Sequence, residues 1–179
     1  IQLALLDNSV DIAVHSLKDL PTAKVAGLKL AAIPKRGSTG DAFVSNTINS
    51  FAELPQHATI GTTSLRRRSQ AIYRRPDLNL VHLRGNVETR LNKIESEKLD
   101  GIILAEAGLI RLGFESRIKE ILDPEWMLPA VGQGALGLEC RADDTHTLQL
   151  LSKLDDPITH AETIAERSLL RNLGGGCLV

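Results

Sequence analysis

Short apolar runs alternate along this chain with stretches of helical periodicity, and that alternation commits it to an α/β protein with mixed, mainly parallel sheets. Runs with strand character fall at 11–15, 28–33, 41–44, 59–61, 78–83, 101–105 and 135–140, and helical patterns fill 65–73, 87–97, 106–112, 116–122, 145–151 and 160–172. In the second of these helices Val87, Leu91 and Ile94 recur on one face, leaving Glu88, Asn92, Lys93 and Glu95 for water. Ile1, Leu3, Ala4, Leu5 and Leu6 read as a helix already under way, so the sequence looks like a piece of something longer.

Two polar, glycine-rich joints interrupt the pattern, one at Pro34 to Gly40 and one at Pro129 to Gly134. They suggest a domain built from 1–36 and 133–154 that is interrupted by an inserted domain at 37–132, the two crossing segments acting as a hinge. With 42% hydrophobic residues in 179, there is enough apolar material for real cores.

Composition narrows the function. Lys and Arg number 21 against 22 Asp and Glu, so no overall positive field draws the chain to nucleic acid or membrane. Aromatics at 3% are too few for the stacking platforms of single-strand binders. Cys140 and Cys177 cannot form a disulfide framework, and no Cys/His spacing suits a metal, so a cytoplasmic protein without a metal site is expected. Any anion site must therefore be local.

Four segments have the makings of one. In Val14-His15-Ser16-Leu17-Lys18-Asp19-Leu20-Pro21 a strand ends in a polar cluster at the carboxyl edge of a sheet, where open α/β folds place ligands. Asp19 is the candidate carboxylate there, with a solvated turn as the plain alternative. In Gly61-Thr62-Thr63-Ser64-Leu65-Arg66-Arg67, Ser64 is an N-cap and free backbone N–H groups favour an anion. Arg66 and Arg67 sit at the positive end of the helix dipole, a conflict that an anion gripped by guanidinium forks resolves. Ordinary surface arginines remain the other reading, and suit Arg74 and Arg75 better. Leu83-Arg84-Gly85-Asn86-Val87-Glu88-Thr89-Arg90 repeats the design with Asn86 as cap, although Arg90 could simply pair with Glu88. Finally Gly174-Gly175-Gly176-Cys177 presents a thiol after a glycine run, with a helix C-cap followed by an ordinary buried cysteine as the plain alternative, whereas Cys140 alternates with polar residues and belongs to the core.

Together these segments, with Ala130-Val131-Gly132-Gln133-Gly134-Ala135, resemble the porphobilinogen deaminase family, in the family's order and over essentially the whole chain. Thr63 stands where the family commonly has serine, and Gly174 where it often has glutamate. The resemblance implies two domains similar to type II periplasmic binding proteins and a small α+β third domain beginning at 155–179. It implies a dipyrromethane cofactor joined by a thioether to Cys177, and a transferase that polymerises porphobilinogen into hydroxymethylbilane with release of ammonia. Asp19 matches the catalytic aspartate; Lys18, Thr62, Thr63, Ser64, Arg66, Arg67, Arg84 and Gly85 match cofactor positions, and Ser16, Arg84 and Arg90 match substrate positions. A monomer with porphobilinogen as its small-molecule partner is expected. The competing readings are a non-catalytic anion-binding module of the periplasmic type and, suggested by the arginine pairs, a nucleic-acid binder.

Overall fold

A computed structural model describes residues 1–174. In chain order it holds α1 (Gln2–Leu6), β1 (Ala13–Ser16), a 3-10 turn (Leu17–Asp19), β2 (Leu28–Ala32), β3 (Asp41–Val44), β4 (Thr59–Gly61), α2 (Leu65–Arg74), β5 (Asn79–Val81), α3 (Val87–Ser96), β6 (Gly101–Ala105), α4 (Glu106–Arg111), β7 (Ile118–Leu122), β8 (Leu136–Arg141), α5 (Thr145–Ser152) and α6 (Pro157–Asn172). Among the described residues these elements divide into two compact units, 1–37 with 131–174, and Ser38–Ala130.

The Ser38–Ala130 unit is built on one five-stranded sheet of order β5-β4-β6-β3-β7. Alternation along its strands sorts side chains onto two faces. Phe43 and Ile103 join Phe51, Leu54, Ile60 and Met127 on one side. Ala42, Val44, Ile102 and Leu104 join Leu83, Leu91, Ile94 and Leu109 on the other. Both faces are covered, which is why β3 and β6 read as continuous apolar runs. Leu91 and Ile94 face inward from α3, as their spacing requires.

The other unit holds a three-stranded sheet of order β1-β8-β2, with β8 antiparallel to both neighbours. Leu17, Leu20, Ile33 and Ala135 form one apolar cluster. Ala32, Leu138, Cys140 and Leu151 form another, with Cys140 fully buried. In each sheet the first strand after a joint, β3 or β8, lies between two others and runs against both. The sheets are mixed, but among the described residues only β4 makes parallel pairings, with β5 and β6. A strand that arrives from a joint, with no crossover helix before it, is free to run antiparallel.

Residues 116–122 differ from expectation. They form a short 3-10 turn, Glu115–Arg117, and then β7, where the sequence pattern predicts a helix. Inward and outward residues alternate from Ile118 to Leu122, and β7 completes the sheet beside β3. Edge pairing overrides a weak helical pattern.

Within the first unit, α6 is fastened to both joints. Arg36 grips Glu166 through Nη1–Oε1 at 2.5 Å and Nη2–Oε2 at 3.0 Å, and its Nε donates to the Gln133 carbonyl at 2.8 Å. The backbone N–H of Gly132 donates to Glu166 Oε2 at 2.7 Å. Burial alone would raise the Glu166 pKa, but these hydrogen bonds and the Arg36 charge outweigh it and hold the carboxyl below its ordinary value of 4.5. A depressed folded value means that this contribution is complete above that ordinary value and is lost as the pH falls through the folded one. Glu166→Gln should therefore lower stability at pH 7 and flatten the acid limb of a plot of denaturation midpoint against pH, measured from pH 7 down to pH 3.

Candidate functional site

The Ser38–Ala130 unit joins two strand-to-helix turns side by side. β4 ends at Gly61, and Ser64 caps α2 by accepting the N–H of Arg67 at 3.4 Å. The Thr63 hydroxyl donates to the Leu83 carbonyl at 2.6 Å and accepts the Leu83 N–H at 3.1 Å, so the first turn is stitched to the start of the second. There Asn86 caps α3 by accepting the Thr89 N–H at 2.8 Å, and Arg90 Nε donates to the Gly85 carbonyl at 2.7 Å. Gly85 has a φ of +121°, and a Cβ on it would lie 2.7 Å from the Thr89 side chain, so only glycine fits.

The start of α2 demands an anion, and the fold supplies one from within. Asp41, 1% exposed at the head of β3, takes Arg66 Nη2 on Oδ2 at 2.7 Å and Arg67 on Oδ1, from Nη2 at 2.7 Å and from Nε at 2.9 Å. Arg67 Nη1 also donates to the Ile103 carbonyl at 3.1 Å, and Arg66 Nη1 donates to the carbonyl of Leu128. Burial pulls the Arg66 guanidinium below its ordinary pKa, opposed by Asp41 and helped by Arg67. Two cations share one carboxylate, so the cluster keeps a net positive charge. Two of its donors stay open among the described residues: the Thr62 hydroxyl, on a residue 2% exposed, and Arg66 Nε. Arg84 stands exposed in the second turn.

In the first unit, β1 ends at Ser16 and the 3-10 turn Leu17–Asp19 follows. Leu17, 1% exposed, is the apolar anchor of this turn, and its N–H donates to Ala135 at 3.0 Å. Ser16 and Asp19 are exposed and Lys18 is half-buried. His15 points the other way: its Nε2 lies 3.0 Å from Glu139 Oε2, which Gln2 also binds at 3.1 Å, making it a satisfied strand residue. Thus the structure gathers Ser16, Lys18 and Asp19 in one turn of one unit. It gathers Thr62, Thr63, Ser64, Arg66, Arg67, Arg84, Gly85 and Arg90 in two adjoining turns of the other. Cys177, with Gly175 and Gly176, lies outside the described residues. Among the described residues no group of His, Cys, Asp and Glu is arranged to hold a metal ion.

Residues 1–149 match the family model described as porphobilinogen deaminase, dipyromethane cofactor binding domain. A porphobilinogen deaminase from Syntrophotalea carbinolica is 55% identical over all 179 residues, and this chain spans 57% of its length. One from Syntrophobacter fumaroxidans is 51% identical, with 58% of its length spanned. Among solved structures, the fold is similar to an ABC transporter periplasmic substrate-binding protein from Coxiella burnetii (TM-score 0.56, 17% identity, 92% of this chain and 79% of that one). It is also similar to a nutrient binding protein from Burkholderia cenocepacia bound to methionine (TM-score 0.53, 12% identity, 88% and 76%). The architecture is that of the type II periplasmic binding proteins.

The buried triad makes a direct demand on stability. Asp41→Asn leaves two guanidinium groups on a neutral amide, and should cost about 3–5 kcal/mol of folding free energy, read from urea unfolding. A loss below about 1 kcal/mol would show that the carboxylate is not what holds them.

Proposed function

This chain belongs to the porphobilinogen deaminase family, and on that premise we propose that the protein is a hydroxymethylbilane synthase, a transferase that links porphobilinogen units head to tail and releases ammonia. One observation carries the reading. The two stitched turns hold more positive charge than Asp41 neutralises and keep the Thr62 hydroxyl and Arg66 Nε open among the described residues. That donor set suits a polycarboxylate, and porphobilinogen and its oligomers carry acetate and propionate arms. Arginine holds such arms without risk of deprotonation and in a bidentate manner.

A dipyrromethane group fits the same donors. Thr62, Thr63, Ser64, Arg66, Arg67, Arg84 and Gly85, with Lys18, would hold it, and Cys177 would anchor it through a thioether. When bound, it supplies the electron-rich pyrrole carbon to which new units are joined. Ser16, Arg84 and Arg90 would take the carboxylates of the incoming porphobilinogen. Asp19, exposed at the end of its turn, is the carboxylate we assign to catalysis. As ammonia leaves porphobilinogen, positive charge develops on the pyrrole nitrogen, and an ionised Asp19 accepting that N–H stabilises the charge where it appears. The amine, already protonated as an ammonium group, leaves with the C–N electron pair as ammonia, so the carboxylate stays ionised through this step. Residues 155–179 would begin a third domain that carries Cys177, and the working compartment would be the cytoplasm. Among the described residues no helix is long and apolar enough to cross a membrane.

Intact-mass measurement of the full-length protein tests the reading against that of a non-catalytic anion-binding module. A covalent dipyrrole should add mass to the wild type, the increment should vanish in Cys177→Ser, and Asp19→Asn should keep it while losing turnover by at least about a hundredfold. An unmodified wild type with full activity would defeat the cofactor assignment, and near-normal turnover in Asp19→Asn would defeat the catalytic one.

A further inference from the structure

The Leu17–Asp19 turn is three residues long and leaves Asp19 exposed, so what frames the turn bears on where that carboxylate points. Leu20 N–H donates to the Leu17 carbonyl at 3.2 Å, and the apolar side chains of Leu17 and Leu20 are buried on either side. A residue 147 positions away completes the frame. Arg167 on α6 donates from Nη1 to the Leu20 carbonyl at 2.8 Å, with the Leu17 carbonyl at 3.4 Å, and from Nη2 to the Pro21 carbonyl at 2.7 Å. Those three carbonyls bracket Lys18 and Asp19 from both sides. The preceding residue of the helix supports the opposite flank: Glu166 holds the Gly132 N–H, and Gly132 packs so closely that a Cβ on it would lie 3.3 Å from the backbone of Leu17 and Lys18.

We propose that Arg167 is a positioning residue for Asp19, its guanidinium fixing the turn that aims the carboxylate. The inference rests on the assignment of Asp19 to catalysis above. A planar fork can serve neighbouring carbonyls at once, which a single ammonium cannot do with the same geometry. Displacement of a reacting group by about 1 Å can cost about a hundredfold in rate while leaving the fold intact.

The test uses the full-length, cofactor-bearing protein with Arg167→Gln, Arg167→Lys and Asp19→Asn. In Arg167→Gln, kcat should fall about tenfold to a hundredfold with KM changed by less than about threefold. The intact-mass increment should persist, and amide hydrogen exchange at residues 17–20 should speed up about tenfold or more while β8 stays protected. Arg167→Lys should recover only part of the loss, and it decides the matter if Arg167→Gln fails to fold. Unchanged kcat or unchanged exchange at 17–20, alongside an inactive Asp19→Asn, overturns the positioning role and leaves the Asp19 assignment standing. Loss of the mass increment, or an effect confined to KM, overturns it too, because either would place Arg167 on a ligand. An active Asp19→Asn instead removes the assignment on which the inference rests.

Discussion

The shared carboxylate of Asp41 is the interaction on which the Ser38–Ala130 unit turns. It stands at the first position of β3, buried in a sheet with an apolar cluster on each face, and Arg66 and Arg67 reach it from the first turn of α2. Neither side is viable alone. A carboxylate taken out of water without a partner would shift its protonation, and two guanidinium groups at a helix N-terminus oppose the dipole. Together they fix α2 against β3 and leave a local excess of positive charge in a chain whose net charge is -1. A ligand site and a structural clamp are thus made from the same residues.

Much of this was legible in the sequence. The caps Ser64 and Asn86, the buried stripe of α3 and the core role of Cys140 all follow from local chemistry, because the residues that decide them lie within one or two turns of each other. Asp41 was not legible as a partner: a single acid heading an apolar run looks the same whether it faces water or two arginines 25 and 26 positions on. Arg167 was hidden for the same reason at greater range, its targets being backbone carbonyls with no side-chain signature. The strand at Ile118–Leu122 is not legible locally because its alternation covers only five residues, too few to outvote a helical spacing without the neighbour β3.

The first unit repeats the lesson in another form. Glu166 and Arg167 are consecutive on a helix and so point to different sides of its surface, and each finds a separate part of the frame around the Leu17–Asp19 turn. The helix itself is capped by Asp156, which accepts the Thr159 N–H at 2.8 Å, and its first turn begins with Pro157. A well-specified helix thereby lends its rigidity to a short turn that has little of its own.

The place of β8 between β1 and β2 also sets a timetable. Ala13 pairs with Glu139, so the small sheet cannot close until the ribosome has passed the whole of the intervening unit. That unit is one continuous stretch, Ser38–Ala130, and needs nothing further along the chain to complete its five strands. It can fold as it emerges, and by doing so it replaces a long floppy loop with a compact body, sparing the later pairing most of the loop-closure entropy it would otherwise face. Until then β1 and β2 wait as unpaired strands, which makes the interval before β8 is synthesised the period when the nascent chain is most open to aggregation.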